Sequence, residues 1–472
     1  MKKENKNFIY NALYQIFVFL IPLISIPYVS RKLGVENIGI YSYTYSIVYY
    51  FMLGTLLGIN NYGTREISKI GEDKEKRSIK FSEIYYLQAT LGIFMIIIYN
   101  TLIFSVLKSD YRIIFSVHNI FLLSAILDIN WLYFGLEEFK LTISRNIIIK
   151  LLSLVLILIF VNKPSDLIIY TIIMSGSTLL SQLYLWLFRK KYVTFKKVEL
   201  KGIYVTLKNC LVLFIPVIAY SIYRVMDKTM LGSIRGTYEL GLYENAEKVI
   251  NIPISLITAL GTVMLPSMSK EDNNEIFFDK LYSSFKLCFF MIIPIAFGLL
   301  TISDNFAIVF FGKDFETSGI IIKLLIPSFV FSSIANVIRT NYLIPRKKDN
   351  VYVISTMIGA VFNFIINAVL IPKIGFYGAC IGTVFAEFFV MLYQIIDIRK
   401  ILNFKIILKS FLYFLCPCLI IFVLVNILGV LISNMYIKLF VQIVIFIISY
   451  FIITRKYILY EFFGKARKNV NE

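Results

Sequence analysis

Leu33-Gly34-Val35-Glu36-Asn37-Ile38-Gly39-Ile40-Tyr41 has an echo further along the chain, where Leu231-Gly232 is followed by Glu239-Leu240-Gly241-Leu242-Tyr243. In each copy a Leu-Gly pair closes an apolar run interrupted by proline, Pro22 in the first and Pro216 in the second. The copies stand about 200 residues apart in a chain of 472. Self-similarity at that distance is the mark of a chain built as two related halves. Membrane transporters on that plan place their working site between the halves.

Composition supports the membrane reading. With 58% hydrophobic residues and a mean hydropathy of +0.77, the chain cannot cover a globular surface with polar groups. Apolar stretches recur, each long enough at about 1.5 Å per residue to cross roughly 30 Å of hydrocarbon. They predict fourteen spans near 8–30, 38–62, 82–107, 113–135, 145–162, 166–188, 209–231, 249–267, 283–303, 319–343, 351–371, 376–396, 408–432 and 435–454. The expected fold is an all-α polytopic membrane protein. A six-helix lobe over 1–200 faces a second over 201–400 across a V-shaped cavity, and 401–472 adds two peripheral spans and a tail.

Charge sets the orientation. Most of the 48 Lys and Arg fall on the side of the two termini, in loops such as Arg189-Lys190-Lys191 and Arg346-Lys347-Lys348. The positive-inside rule then puts both termini in the cytoplasm. The net charge of +19 therefore reads as helix orientation and contact with anionic lipid headgroups, not as nucleic-acid binding. The first span, with internal Pro22 and Pro27, does not read as a cleaved signal. Cys210, Cys288, Cys380, Cys416 and Cys418 lie in apolar spans without metal-ligand spacing, and read as buried small hydrophobes. Trp131 and Trp186 near span ends read as interface anchors.

Several enzyme classes are excluded by what the chain lacks. No phosphate-binding GxxxxGK[ST] is present. No aqueous loop is long enough to arrange a donor, an acceptor and catalytic carboxylates, and no metal cluster is predicted. The one histidine, His118, sits in an apolar stretch and reads as a packed polar residue. No enzyme and no cofactor are expected, with coupling to protons, sodium or the membrane potential left open.

A charge at the bilayer centre costs at least roughly 2.5–3.5 kcal/mol, so it is kept only where it faces protein or water. The seventh span holds the densest group, Arg224, Asp227 and Lys228, on one helical face. It is either an internal ion pair locking helices or part of a water-filled lumen with surplus positive charge. Asn336 and Arg339, Asn146 and Lys150, and Asn363 and Asn367 recur at spacings of three or four, and could extend a cationic, amide-lined path. Lys150 could instead snorkel to headgroups, as Lys248 and Lys323 do in this reading. Asp227 and Glu387 are the candidates for ion coupling, whereas Glu83, Asp128 and Glu137 read as solvated span ends. Tyr41, Tyr45 and Tyr49 form a stripe suited to stacking on sugar faces or to ordinary packing.

These residues resemble the polysaccharide flippases, the Wzx-type branch of the multidrug/oligosaccharidyl-lipid/polysaccharide exporter superfamily. The likeness is carried by Arg31-Lys32-Leu33-Gly34 with Gly39-Ile40-Tyr41, Gly63-Thr64-Arg65-Glu66, Trp131-Leu132-Tyr133-Phe134-Gly135-Leu136-Glu137 and Asp227-Lys228-Thr229-Met230-Leu231-Gly232. It continues in Gly241-Leu242-Tyr243 and in Ile371-Pro372-Lys373-Ile374-Gly375-Phe376-Tyr377-Gly378-Ala379. The resemblance implies alternating access that moves a polyprenyl-pyrophosphate-linked oligosaccharide from the inner to the outer leaflet of a bacterial cytoplasmic membrane, for capsule, O-antigen or exopolysaccharide synthesis. It implies a cationic cavity, to which Arg224, Lys228 and Arg339 would contribute, and working partners such as a polymerase and a chain-length regulator. The alternative within the superfamily is a cation-coupled multidrug or small-molecule antiporter, whose acidic cavity the surplus of intramembrane cations argues against.

Overall fold

In hydrocarbon no water is available to satisfy backbone N–H and C=O groups, so an apolar chain of this kind must close its hydrogen bonds within helices. The computed structural model describes residues 3–106 and 111–458, and among them no strand occurs. The predicted C-terminal tail lies outside the described residues beyond position 458. Among the described residues eleven helical stretches are long and apolar enough to cross a membrane. The other three expected spans correspond to the two halves of α1 (Lys3–Leu56) and to α9 (Leu200–Ile234). The all-α reading is borne out.

Two compact units divide the chain, Met1–Gly241 and Leu242–Glu472. In the first, α1 is broken at Gly34, whose φ of 78° and ψ of 173° interrupt the helix between its two spans. A side chain is strained at that positive φ, which explains glycine at this point of the repeated motif. α2 (Ile59–Ile70) and α3 (Lys74–Thr101) follow, then the short helices α4 (Arg112–Val117), α5 (Asn119–Ile126) and α6 (Asn130–Gly135), which together form one span. α7 (Phe139–Phe160) and α8 (Leu167–Tyr192) precede an extended stretch over 193–199 that lies along α3. There the Thr194 N–H donates to Ser78 Oγ at 3.1 Å and the Lys196 N–H to Ser82 Oγ at 2.9 Å. The Phe195 ring enters a cluster with Phe81, Tyr85 and Trp186, under the Arg189 guanidinium at 4.4 Å.

Both copies of the echoed motif meet within this unit. A Cβ on Gly39 would stand 1.7 Å from the Thr237 carbonyl oxygen, and one on Gly241 would stand 2.1 Å from the Val35 carbonyl oxygen. Main chain lies directly on main chain at this crossing. Only glycine in both copies permits it, as at other close membrane-helix contacts.

α10 (Thr237–Ser269) leads into the second unit, which is built from α11 (Asn274–Phe311), α12 (Glu316–Ile338), α13 (Asp349–Ile374), α14 (Phe376–Ile398), α15 (Phe404–Val430) and α16 (Met435–Ile458). α13 and α14 pack along each other, α12 lies against α14, and α15 and α16 pack on α11. A π-helical turn over Arg339–Leu343 ends the α12 span.

Two assignments are corrected here. Trp131 is no interface anchor: it is fully buried against Gly63, and its indole N–H donates to Gln88 Oε1 at 3.2 Å. A ring needing one polar partner finds it inside the protein. Cys416 is exposed, whereas the other four cysteines are buried as expected.

Candidate functional site

The seventh-span cluster sits on α9. Asp227 is buried there, while Arg224 and Lys228 are half-buried. The backbone N–H of Lys228 donates to Asp227 Oδ1 at 2.8 Å. One residue further on, Thr229 Oγ donates to Ser46 Oγ at 3.0 Å and fastens this face of α9 to the second half of α1. The structure therefore places Arg224, Asp227 and Lys228 beside the helix that carries the tyrosine stripe.

That stripe is packed. Tyr41 and Tyr45 lie parallel, with ring centres 5.9 Å apart and planes 10° from each other. Tyr170 meets Tyr41 edge-on at 4.9 Å, and Phe121 meets Tyr45 at 5.1 Å. The remaining turn of space is taken by His118, fully buried, with Nε2 2.8 Å from Thr44 Oγ. Both tyrosines remain half-buried, so each keeps some ring surface uncovered.

A network that the sequence reading missed supports the other end of this unit. Asp128, read there as solvated, is buried and accepts from the Asn130 backbone at 2.9 Å and from its side chain at 2.6 Å. Arg145, also buried, donates through Nη1 to Asn130 Oδ1 at 2.9 Å and through Nη2 to Asn146 Oδ1 at 2.8 Å. Asn130 thus stands between carboxylate and guanidinium and bonds both. Gln88 Nε2 donates to the carbonyl oxygens of Ala125 at 2.7 Å and Asp128 at 2.8 Å. Asn146, expected on the path, is engaged by Arg145. Lys150, one turn on, is exposed beside the exposed apolar residues Ile148, Leu151 and Leu152. Glu83 is half-buried against Lys80 at 2.5 Å, and Glu137 is exposed as expected.

The second unit carries its own polar set. Asn336 is buried and donates to Thr258 Oγ at 2.5 Å. Arg339 opens the π-helical turn with its guanidinium over the Tyr352 ring at 5.4 Å. Asn363 and Asn367 are fully buried on α13, where Asn367 Nδ2 donates to Asn363 Oδ1 at 3.0 Å. On the facing helix α14, Thr383 shares a hydrogen bond of 3.0 Å with the Tyr243 hydroxyl, and Glu387 is buried. Gln394 donates to Ser355 Oγ at 3.1 Å and joins α14 to α13. Lys248 and Lys323, read as snorkelling, form ion pairs instead, with Glu244 at 3.3 Å and with Asp304. Among the described residues no group of His, Cys, Asp and Glu has the arrangement of a metal site.

Residues 5–272, more than half of the chain, match the family model described as polysaccharide biosynthesis protein. The chain belongs to that family. A second model, lipid II flippase MurJ, matches residues 155–451. The resemblance read from the short motifs to the Wzx-type branch of the exporter superfamily is thereby borne out. A protein of Shigella dysenteriae named "Putative O-antigen transporter" is 25% identical over 387 residues, covering 80% of this chain and 95% of that one. Among solved structures, lipid II flippase MurJ in an inward closed conformation aligns with a TM-score of 0.79 at 18% identity, over 95% of this chain and 99% of that one. An inward-facing multidrug resistance MATE family transporter aligns with a TM-score of 0.58 at 14% identity, over 80% and 95%. Both structures share the fold.

Proposed function

We propose that this protein is a flippase that carries lipid-linked oligosaccharide units from the inner to the outer leaflet of the bacterial cytoplasmic membrane for surface polysaccharide synthesis. It is a transporter and not an enzyme. The observation that carries the reading is the face of α9 with two cations and one carboxylate, Arg224, Lys228 and Asp227, in a chain of this family. The MATE likeness is one of fold, and a cationic face suits an anionic cargo better than an organic cation.

The barrier explains why such a protein is needed. A sugar hydroxyl taken into hydrocarbon without partners costs about 4–8 kcal/mol, so a unit of several sugars faces tens of kcal/mol. A hydrated, amide-lined path removes most of that cost. A pyrophosphate in it needs counter-charge, which guanidinium and ammonium groups supply through short charge-assisted hydrogen bonds. We assign Arg224 and Lys228 to the anion first, with Tyr41 and Tyr45 as further substrate contacts in the first unit and Arg339, Asn336, Asn363 and Asn367 as those of the second. Lys150, exposed among apolar residues, is assigned to the lipid headgroups. Asp227 and Glu387 are assigned to ion coupling. Outward movement of an anion across an inside-negative membrane gains about 2.3 kcal/mol per charge per 100 mV, so the potential can assist. The termini are assigned to the cytoplasm, and a polymerase and chain-length regulator are the expected consumers of the delivered units.

A deletion strain tests the reading. Loss of surface polysaccharide with lipid-linked units accumulating on the inner leaflet supports it. Normal polysaccharide with sensitivity to cationic drugs overturns it in favour of an antiporter.

A further inference from the structure

We propose that one end of the second unit binds a single anionic phospholipid, with an acyl chain between α11, α12, α14 and α15 and the phosphate on the linker that enters α15. The inference is independent of the transported substrate. A cavity of about 390 Å³ lies there, lined by Phe285, Phe289, Ile334, Ile338 and Phe411, with Lys405 its only charged wall residue. That volume is within the roughly 300–1,000 Å³ of sites that take small ligands. Its position follows from chain direction. α15 begins beside it, α12 and α14 end beside it, and α11 passes it at Phe285 and Phe289, so it sits towards one end of the spans rather than at mid-membrane. Left unfilled, its apolar lining lacks dispersion contacts, and in a bilayer the available filler is a hydrocarbon chain.

The rim selects the headgroup. Arg399, Lys400, Lys405 and Lys409 are all exposed on this short stretch, and no ion pair engages them among the described residues. The one acid beside them, Asp397, is taken by Lys348 at 2.8 Å. Four cations on a linker between two spans attract anionic headgroups, each multiplying the preference about fivefold. The linker is held for the purpose. The Asn403 N–H donates to the Tyr282 hydroxyl at 2.8 Å, and the Asn403 side chain caps α15 by accepting from the Lys405 N–H at 3.1 Å. Leu402 is buried into the cavity wall. Lys405 therefore stands in the first turn of a capped helix, where the helix dipole adds to its attraction for an anion.

Photolabelling of the full chain tests this. The protein is placed in phosphatidylcholine nanodiscs with a trace of phosphatidylglycerol carrying a diazirine on its acyl chain, irradiated, and the labelled peptides are identified. Label should fall on α11 and α15 and be competed by unlabelled phosphatidylglycerol but not by phosphatidylcholine. It should drop about twenty-five-fold in the Lys405→Gln/Lys409→Gln variant. Ile334→Trp, which fills the cavity, should lose the label while the linker cations remain. Equal labelling by a diazirine phosphatidylcholine, or unchanged labelling in the glutamine variant, overturns the proposal. So does stronger competition by a polyprenyl phosphate, which would give the cavity to the transported lipid.

Discussion

Replacing Gly39 with alanine exchanges a hydrogen for a methyl group where the structure has no room for one. The new Cβ would lie 1.7 Å from the Thr237 oxygen and 2.6 Å from its carbonyl carbon. Non-bonded carbons rest at about 3.5–4.0 Å, so the two main chains must part by roughly 1–2 Å. The obstacle is backbone, and no rotamer change relieves it. Overpacking of this kind costs about 1–3 kcal/mol, and the closeness puts Gly39→Ala at about 3 kcal/mol. In a unit of this size each kcal/mol is worth about 2–4 °C, so Tm should fall by about 6–12 °C. Gly241→Ala should do nearly the same, since its Cβ meets the Val35 oxygen at 2.1 Å. Both glycines serve one crossing, so the double variant should cost about 1 kcal/mol or more less than the sum. Thermal unfolding of the purified protein, followed by tryptophan fluorescence, reads all three. Gly176→Ala, where a Cβ meets nothing within 4 Å of it, is the control and should not lower Tm. A Gly39→Ala variant as stable as the wild type, or strictly additive costs, refutes the reasoning.

Four further outcomes are expected. Arg224→Ala should abolish export while the protein still inserts, and Arg224→Lys should restore part of it because a point charge keeps attraction but loses the forked fit; an Arg224→Ala/Asp227→Ala variant that exports normally would reduce the pair to architecture. Arg145→Ala leaves Asn130 and the Asp128 carboxylate without their cation, and should cost about 3 kcal/mol, seen as lower yield and Tm. At Gly63 a Cβ would come within 2.7 Å of the Trp131 ring, so Gly63→Ala should cost about 1–3 kcal/mol and Trp131→Phe should relieve part of it, measured by Tm in the double variant. Asp73 caps α3, and hydrogen bonds from the Lys76 and Glu75 backbone hold its carboxyl below the usual value; that support is present above the ordinary aspartate pKa and lost as pH falls through the lowered one, so hydrogen exchange in the first turn should quicken on acidification, and Asp73→Asn should remove the pH dependence.

Hydropathy revealed the helices because the bilayer leaves an apolar chain one way to satisfy its backbone. The break between the first two spans was visible for the same kind of reason, since Gly34 supplies the positive φ that the turn demands. Which face meets which is another matter. Trp131 sits near a span end, so sequence alone assigns it to the interface. Only the fold brings Gly63 under its ring and Gln88 to its N–H. Asp128 was misread likewise: nothing near it in sequence announces that Arg145, on another helix, supplies through Asn130 the charge that makes its burial affordable.

The candidate site was legible to the extent that it is a property of single helices. The spacing of Arg224, Asp227 and Lys228 puts them on one face whatever the partner helix, and so does that of Asn363 and Asn367. The structure then separates two uses of buried polarity. Around Arg145 the cation is met by neutral amides that also hold a carboxylate, and around Gln394 and Tyr243 neutral groups meet one another, so these contacts join helices without excess charge. The face of α9 differs in sign. It carries two cations for one carboxylate, and that carboxylate also accepts a backbone N–H. A charged group in a membrane span is kept only where protein or water receives it, so a face this rich in charge marks a place built for polar contact. Under the proposed reading a bound anion joins the partners this face already has, and for that reason Arg224→Ala is the variant that bears on it most directly.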